Sequence, residues 1–272
     1  MPERTPSQTV GPYLHIGLTG QYGFREIFGN SLADAGMPGS HIRVEGRVID
    51  GNGNIMPDAM IEIWQADSQG RYAHPADGRP LASNSFRGFG RCATDKDGAY
   101  AFATVKPGSV PGPDGSTQAP HINVSVFARG ILKRLFTRIY FEGDAANAGD
   151  PILALVPPER RGTLMAKPDP ASAGVWRFDI RVQGGADETV FFDAYATPMG
   201  GPDSGAGSTR GISLGGLIPF SCENDVLCSG GAAGRNCVVS AGGDCDAPDR
   251  HAAGMTFLFM SVCCERLGNI SI

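Results

Sequence analysis

Apolar and polar positions begin to alternate at residue 41, and the pattern recurs as far as residue 195. In HIRVEGRVID, Ile42, Val44, Gly46 and Val48 fall on one face and Arg43, Glu45 and Arg47 on the other. That period of two is the mark of a half-buried strand. Asp50-Gly51-Asn52-Gly53 supplies turn chemistry, because Gly and Asn tolerate positive φ at little cost. AMIEIWQAD then sets Met60, Glu62 and Trp64 against Ile61 and Ile63. GRCATDKDGAYAFATV repeats the scheme, with a turn at Asp95-Lys96-Asp97-Gly98 and alternation at Tyr100, Phe102 and Thr104. HINVSVFARG, LKRLFTRIYFEGD, GVWRFDIRVQG and ETVFFDAY complete the series, rich in β-branched and aromatic residues. Short helices are expected at REIFGNSLAD (25–34) and around DPILALV (150–156). This pattern predicts an all-β chain: an antiparallel β-sandwich over 41–195 behind an extended N-terminal arm, 1–40.

Composition supports that reading and then divides the chain. The 272 residues include 39 Gly and 20 Pro, an excess that suits many turns and short strands. A net charge of −5 gives a nucleic-acid partner no electrostatic support. The longest apolar stretches, such as MTFLFM, fall far below the ~18 residues of a membrane span. PERTPSQTV after Met1 is polar and lacks the apolar core of a secretory signal, so the expected location is cytoplasmic. The tyrosines end at Tyr195 and the lysines at Lys167, whereas six of the seven cysteines follow residue 221. Residues 196–272 are therefore expected to form a Gly/Ser/Cys-rich extension, disordered or not native, such as a product of read-through or out-of-frame translation. Their cysteine spacing matches no zinc motif, and stable disulfides are not expected in a cytoplasmic chain.

Candidate chemistry starts at APHINVSVFARG. His121 opens a strand and Asn123 projects from the same face two residues on. His-x-His there would offer two imidazoles to one metal, and only half of that pair is present. The run from Val44 through Gly46, Gly53, Ile61-Glu62-Ile63 to Gly70-Arg71-Tyr72, followed in order by FRGFGRCATDKDGAY, TVKPG and APHINVSVFARG, resembles the intradiol ring-cleavage dioxygenases. TPSQTVGPYLHIGL, RRGTLMAK and RFDIRVQGGADETVFFD are similar, more narrowly, to the α chains of heteromeric members. The resemblance spans roughly residues 3–195.

The iron-bearing members of that family hold non-haem Fe(III) with two tyrosines and two histidines, a donor set suited to a hard ion. Carried over by motif, Tyr72 and His121 match one ligand of each kind, whereas Val110 and Asn123 stand at the other two positions. The resemblance thus implies that this chain has no catalytic residue of its own and that a partner β chain carries the Fe(III). Thr9, Gly11 and Pro12 would line the substrate pocket, and Arg129 would lie at the same interface. The implied reaction is O₂-dependent cleavage of 3,4-dihydroxybenzoate (protocatechuate) between its hydroxyl-bearing carbons, giving 3-carboxy-cis,cis-muconate. A self-sufficient catechol-type dioxygenase and a non-catalytic β-sandwich binding module remain alternatives. Each position also has a plainer role: Tyr72 and His121 as packed relics, Arg129 as half of an ion pair, and Thr9, Gly11 and Pro12 as turn residues. His15, His41 and His74 have no companion donors in the sequence and read as structural.

Overall fold

A computed structural model describes residues 9–11, 13–20, 26–112, 115–193 and 212–213. The expectation for the 196–272 extension falls almost wholly outside these residues. Strand β1 (His41–Ile49) buries Ile42, Val44 and Val48, as its alternation requires. It pairs antiparallel with β4 (Ala99–Val105), which follows β3 (Phe89–Ala93) through a turn at Asp95–Gly98. β2 (Met60–Gln65) lies between β3 and β7 (His121–Phe127), and β7 pairs with β8 (Leu135–Phe141). Two short strands, β5 (Val110–Pro111) and β6 (Thr117–Gln118), form a separate ribbon just before β7.

The sheet is not purely antiparallel. β9 (Met165–Pro168) runs parallel to β8, and β10 (Val175–Arg177) and β11 (Ile180–Arg181) run parallel to β1. Residues 142–164 make the long crossover that a parallel β8–β9 pair needs. An alternating pattern reports burial and is blind to strand direction, so the sequence could not distinguish the two. The sheet runs in the order β4-β1-β10-β9-β8-β7-β2-β3, and its two end strands are consecutive in the chain. It therefore curls into a nearly closed barrel rather than an open sandwich. The core inside contains Val44, Val48, Ile61, Ile63, Phe102, Ile122, Val124, Val126, Ile139 and Phe141.

The seam between β3 and β4 is covered by the stretch expected to be helical. Residues 29–32 are extended instead: Gly29 O accepts from Arg91 N, Asn30 O from Ala103 N, and Leu32 N donates to Ala103 O. Gly29 and Asn30 are poor helix formers, and the edge groups of β3 and β4 offer them better partners. Helix α1 (Tyr13–Leu18) forms earlier in the arm, and α2 (Pro151–Ala154) forms where a helix is expected.

One buried ion pair ties arm to barrel. The Arg91 guanidinium donates twice to Glu62 Oε1, at 3.0 and 2.6 Å, with both side chains at most 5% exposed. Its Nη1 reaches the Leu18 carbonyl at 3.4 Å, and the rings of Phe28 and Phe89 lie 5.8 and 5.6 Å from it. Removing one member of such a pair leaves a buried charge poorly compensated. Glu62→Leu is expected to cost about 3–5 kcal/mol, and Glu62→Leu/Arg91→Met to recover most of it, as read from urea midpoints. Equal losses in both variants would contradict this.

Candidate functional site

Tyr72 is held by a turn organised around Asp67. The buried Asp67 carboxylate accepts from Gln69 N (2.9 Å), Arg71 N (3.0 Å) and Ala82 N (2.7 Å). Gly70 has φ +75° and lies against the Ser109 carbonyl, so a Cβ there would overlap backbone. This close approach brings the GRY turn against the KPGSV segment, where Val110 is buried. The Tyr72 ring stacks on Trp64, with centroids 5.7 Å apart and planes 14° apart.

The facing wall comes from β7 and β8. Their register sets His121 opposite Tyr140 and Asn123 opposite Arg138, and side chains two apart on a strand share a face. These four therefore project together, with Trp64 opposite Asn123 on the next strand. The Asn123 amide hydrogen-bonds the Tyr72 phenol. His121 Nδ1 lies 2.7 Å from the Ala119 carbonyl; as the donor there it leaves Nε2 without a proton. Burial holds His121 well below the usual imidazole range, and the Arg138 charge acts in the same direction. Burial also pushes the Tyr72 and Tyr140 phenols up, against the pull of Arg138.

Arg138 is itself only 3% exposed, and no carboxylate touches it among the described residues. Nη1 donates to Gln118 Oε1 at 2.7 Å, and the guanidinium also hydrogen-bonds the Tyr140 hydroxyl. Tyr140 in turn donates to Asp150 Oδ1 at 3.1 Å. Asp150 further accepts from Ile152 N (2.9 Å) and Leu153 N (2.7 Å), capping α2, and from Ala119 N (2.8 Å) at the entry to β7. The alternation of LKRLFTRIYFEGD could have signalled this arrangement, because Arg138 and Tyr140 share a phase on a strand that should pair with His121.

The structure thus brings together Tyr72, Val110, His121 and Asn123, the four positions carried over from the resemblance. It also tests them for iron. Val110 offers only alkyl groups. Asn123 is engaged with Tyr72, and its Oδ1 is buried without a hydrogen-bond partner among the described residues. A cation already sits on this wall. Two donors beside a buried guanidinium do not make an Fe(III) site, and no step of the chemistry can be placed here.

Two of the positions expected to line the substrate pocket, Thr9 and Arg129, lie near each other elsewhere on the chain. Thr9 Oγ1 accepts from Gly130 N at 2.8 Å, so the arm docks beside Arg129. Arg129 is 68% exposed and forms an ion pair with Asp58. Gly11 is exposed nearby in sequence, and Pro12 lies outside the described residues.

The Tyr72–His121 cradle thus lies beside strands β2, β7 and β8 of the curled sheet. Residues 29–184 match the family described as Dioxygenase, and the chain belongs to the intradiol dioxygenase family. The alpha chain of protocatechuate 3,4-dioxygenase from Burkholderia cepacia is 48% identical over 199 residues, which is 98% of that protein and 70% of this chain. The Pseudomonas putida alpha chain is 47% identical over 201 residues, covering 97% of it and 71% of this chain. The B. cepacia beta chain is 37% identical over 164 residues, or 69% of its length. Among the described residues no three His, Cys, Asp or Glu side chains cluster as metal ligands, and no helix is long and apolar enough to cross a membrane.

Asp150→Ala strips the α2 cap and leaves four buried donors without their acceptor. The expected loss is about 3 kcal/mol, with a lower urea midpoint at unchanged slope. A change under about 0.5 kcal/mol would remove Asp150 from its organising role.

Proposed function

We propose that this chain is the α subunit of a protocatechuate 3,4-dioxygenase, pairing with a β chain that carries the Fe(III). One observation carries the reading most of the way: a chain matching α chains along nearly their whole length has only two of four donors in its own cradle. The reaction breaks the carbon–carbon bond between the two hydroxyl-bearing carbons of 3,4-dihydroxybenzoate and takes up both atoms of O₂, giving 3-carboxy-cis,cis-muconate. This chain contributes surface rather than chemistry. Thr9, Gly11 and Pro12 line one side of the partner's pocket, and Arg129 supplies positive charge for the ring carboxylate or the approach to it. The Thr9–Gly130 hydrogen bond supports this, because it fixes the arm next to an exposed arginine. An arginine fork suits a carboxylate, and its weak exposed pairing with Asp58 costs little to exchange.

Co-expression with a β chain should give iron-dependent O₂ uptake on 3,4-dihydroxybenzoate, and this chain alone should give none. Full turnover by the isolated chain would refute the assignment. In the assembled enzyme, Arg129→Ala is expected to raise KM about tenfold, near 1.4 kcal/mol, with kcat changed less than about twofold. An unaltered KM would reduce Arg129 to its pairing with Asp58.

A further inference from the structure

We infer that Arg138 stands in for the metal: its guanidinium supplies the fixed positive charge of the Tyr72–His121 cradle and closes that cradle to metal ions. The inference rests on the reading that this chain holds no iron and goes further, since it names what excludes the ion. Absence of two ligands alone would leave a neutral, half-formed pocket able to pick up a metal weakly. The structure has something else there. Arg138 emerges directly opposite Asn123, on the face that carries His121 and Tyr140, and its charge acts on Tyr72, His121 and Tyr140 together.

A cation in that position must be compensated, and the compensation is visible. Gln118 Oε1 and the Tyr140 hydroxyl both accept from the guanidinium, and Asp150 stands behind Tyr140 as the nearest carboxylate in the relay. The fit is incomplete: Arg138 Nε and Asn123 Oδ1, on directly opposed residues, are both buried without hydrogen-bond partners among the described residues. A buried donor and acceptor left unmatched on facing residues suggest a cradle that took over a cation rather than one built around it. A second cation beside Arg138 would meet like-charge repulsion in a poorly screened interior, whatever ligands were present. Ligand loss and charge replacement therefore predict different behaviour when the ligands are put back.

The test restores ligands with and without Arg138, in the full chain. Val110→Tyr/Asn123→His is compared with Val110→Tyr/Asn123→His/Arg138→Gln, after confirming by far-UV circular dichroism that both fold. Fe(III) offered to the triple variant should bind at about one equivalent with a visible tyrosinate-to-iron band, whereas the double variant should stay colourless. A smaller pair, Asn123→His with and without Arg138→Gln, is titrated with Co(II) and decides the matter if the triple variant does not fold. Removing Arg138 should tighten Co(II) binding by about 100-fold or more. Equal metal uptake with and without Arg138 in either pair would overturn the inference, as would a folded triple variant that binds nothing. Iron bound stoichiometrically by the unaltered chain would instead overturn the functional reading, so the two failures are distinct.

Discussion

The buried run from Arg138 through Tyr140 to Asp150 is the constraint around which the rest of this molecule is arranged. Asp150 accepts four hydrogen bonds that serve three parts of the fold: two from the start of α2, one from the strand entering β7, one from the Tyr140 phenol. Its carboxylate is the reason that a guanidinium 3% exposed can be tolerated one side chain away. Buried charge is expensive unless hydrogen-bonded and compensated nearby; here Gln118 and Tyr140 accept from the guanidinium, and Tyr140 links it to the Asp150 carboxylate. The same contacts position His121 and Asn123, so the cradle and the α2 region are held together as one feature.

The cradle is shaped by three contacts: Gly70 meets the Ser109 carbonyl, Tyr72 stacks on Trp64, and β7 pairs with β8. At the surface, the Thr9 segment meets the Gly130 turn beside Arg129. A second buried pair, Glu62 with Arg91, holds the arm that delivers Thr9, because Arg91 also reaches the Leu18 carbonyl. Two buried arginines thus serve different parts of the fold: Arg138 is held by Gln118 and Tyr140, and Arg91 ties the arm to β2.

Much of this was legible in the sequence, and what escaped did so for physical reasons. Strict alternation in HIRVEGRVID reported burial correctly, since the core takes Ile42, Val44 and Val48; in MIEIWQ both faces are buried, Met60 and Glu62 as well as Ile61 and Ile63. It was silent on strand direction, so the parallel pairs of β9, β10 and β11 and the curl of the sheet were missed. REIFGNSLAD has a helical spacing of apolar residues, yet Gly29 to Leu32 are drawn out by unpaired edges of β3 and β4, a tertiary demand that local pattern does not encode. The cradle positions Tyr72, Val110, His121 and Asn123 followed from motif order. Arg138 did not, because a lone arginine in a strand reads as an outward-facing charge until the register shows which side chains it opposes.

Anomalous diffraction at the iron edge from crystals of the assembled α/β enzyme would test the central claim most directly. The account predicts iron peaks only in the partner chain, and guanidinium density from Arg138 on the wall formed by His121 and Asn123. An iron peak within bonding distance of Tyr72 and His121 of this chain, with Arg138 turned away, would contradict it.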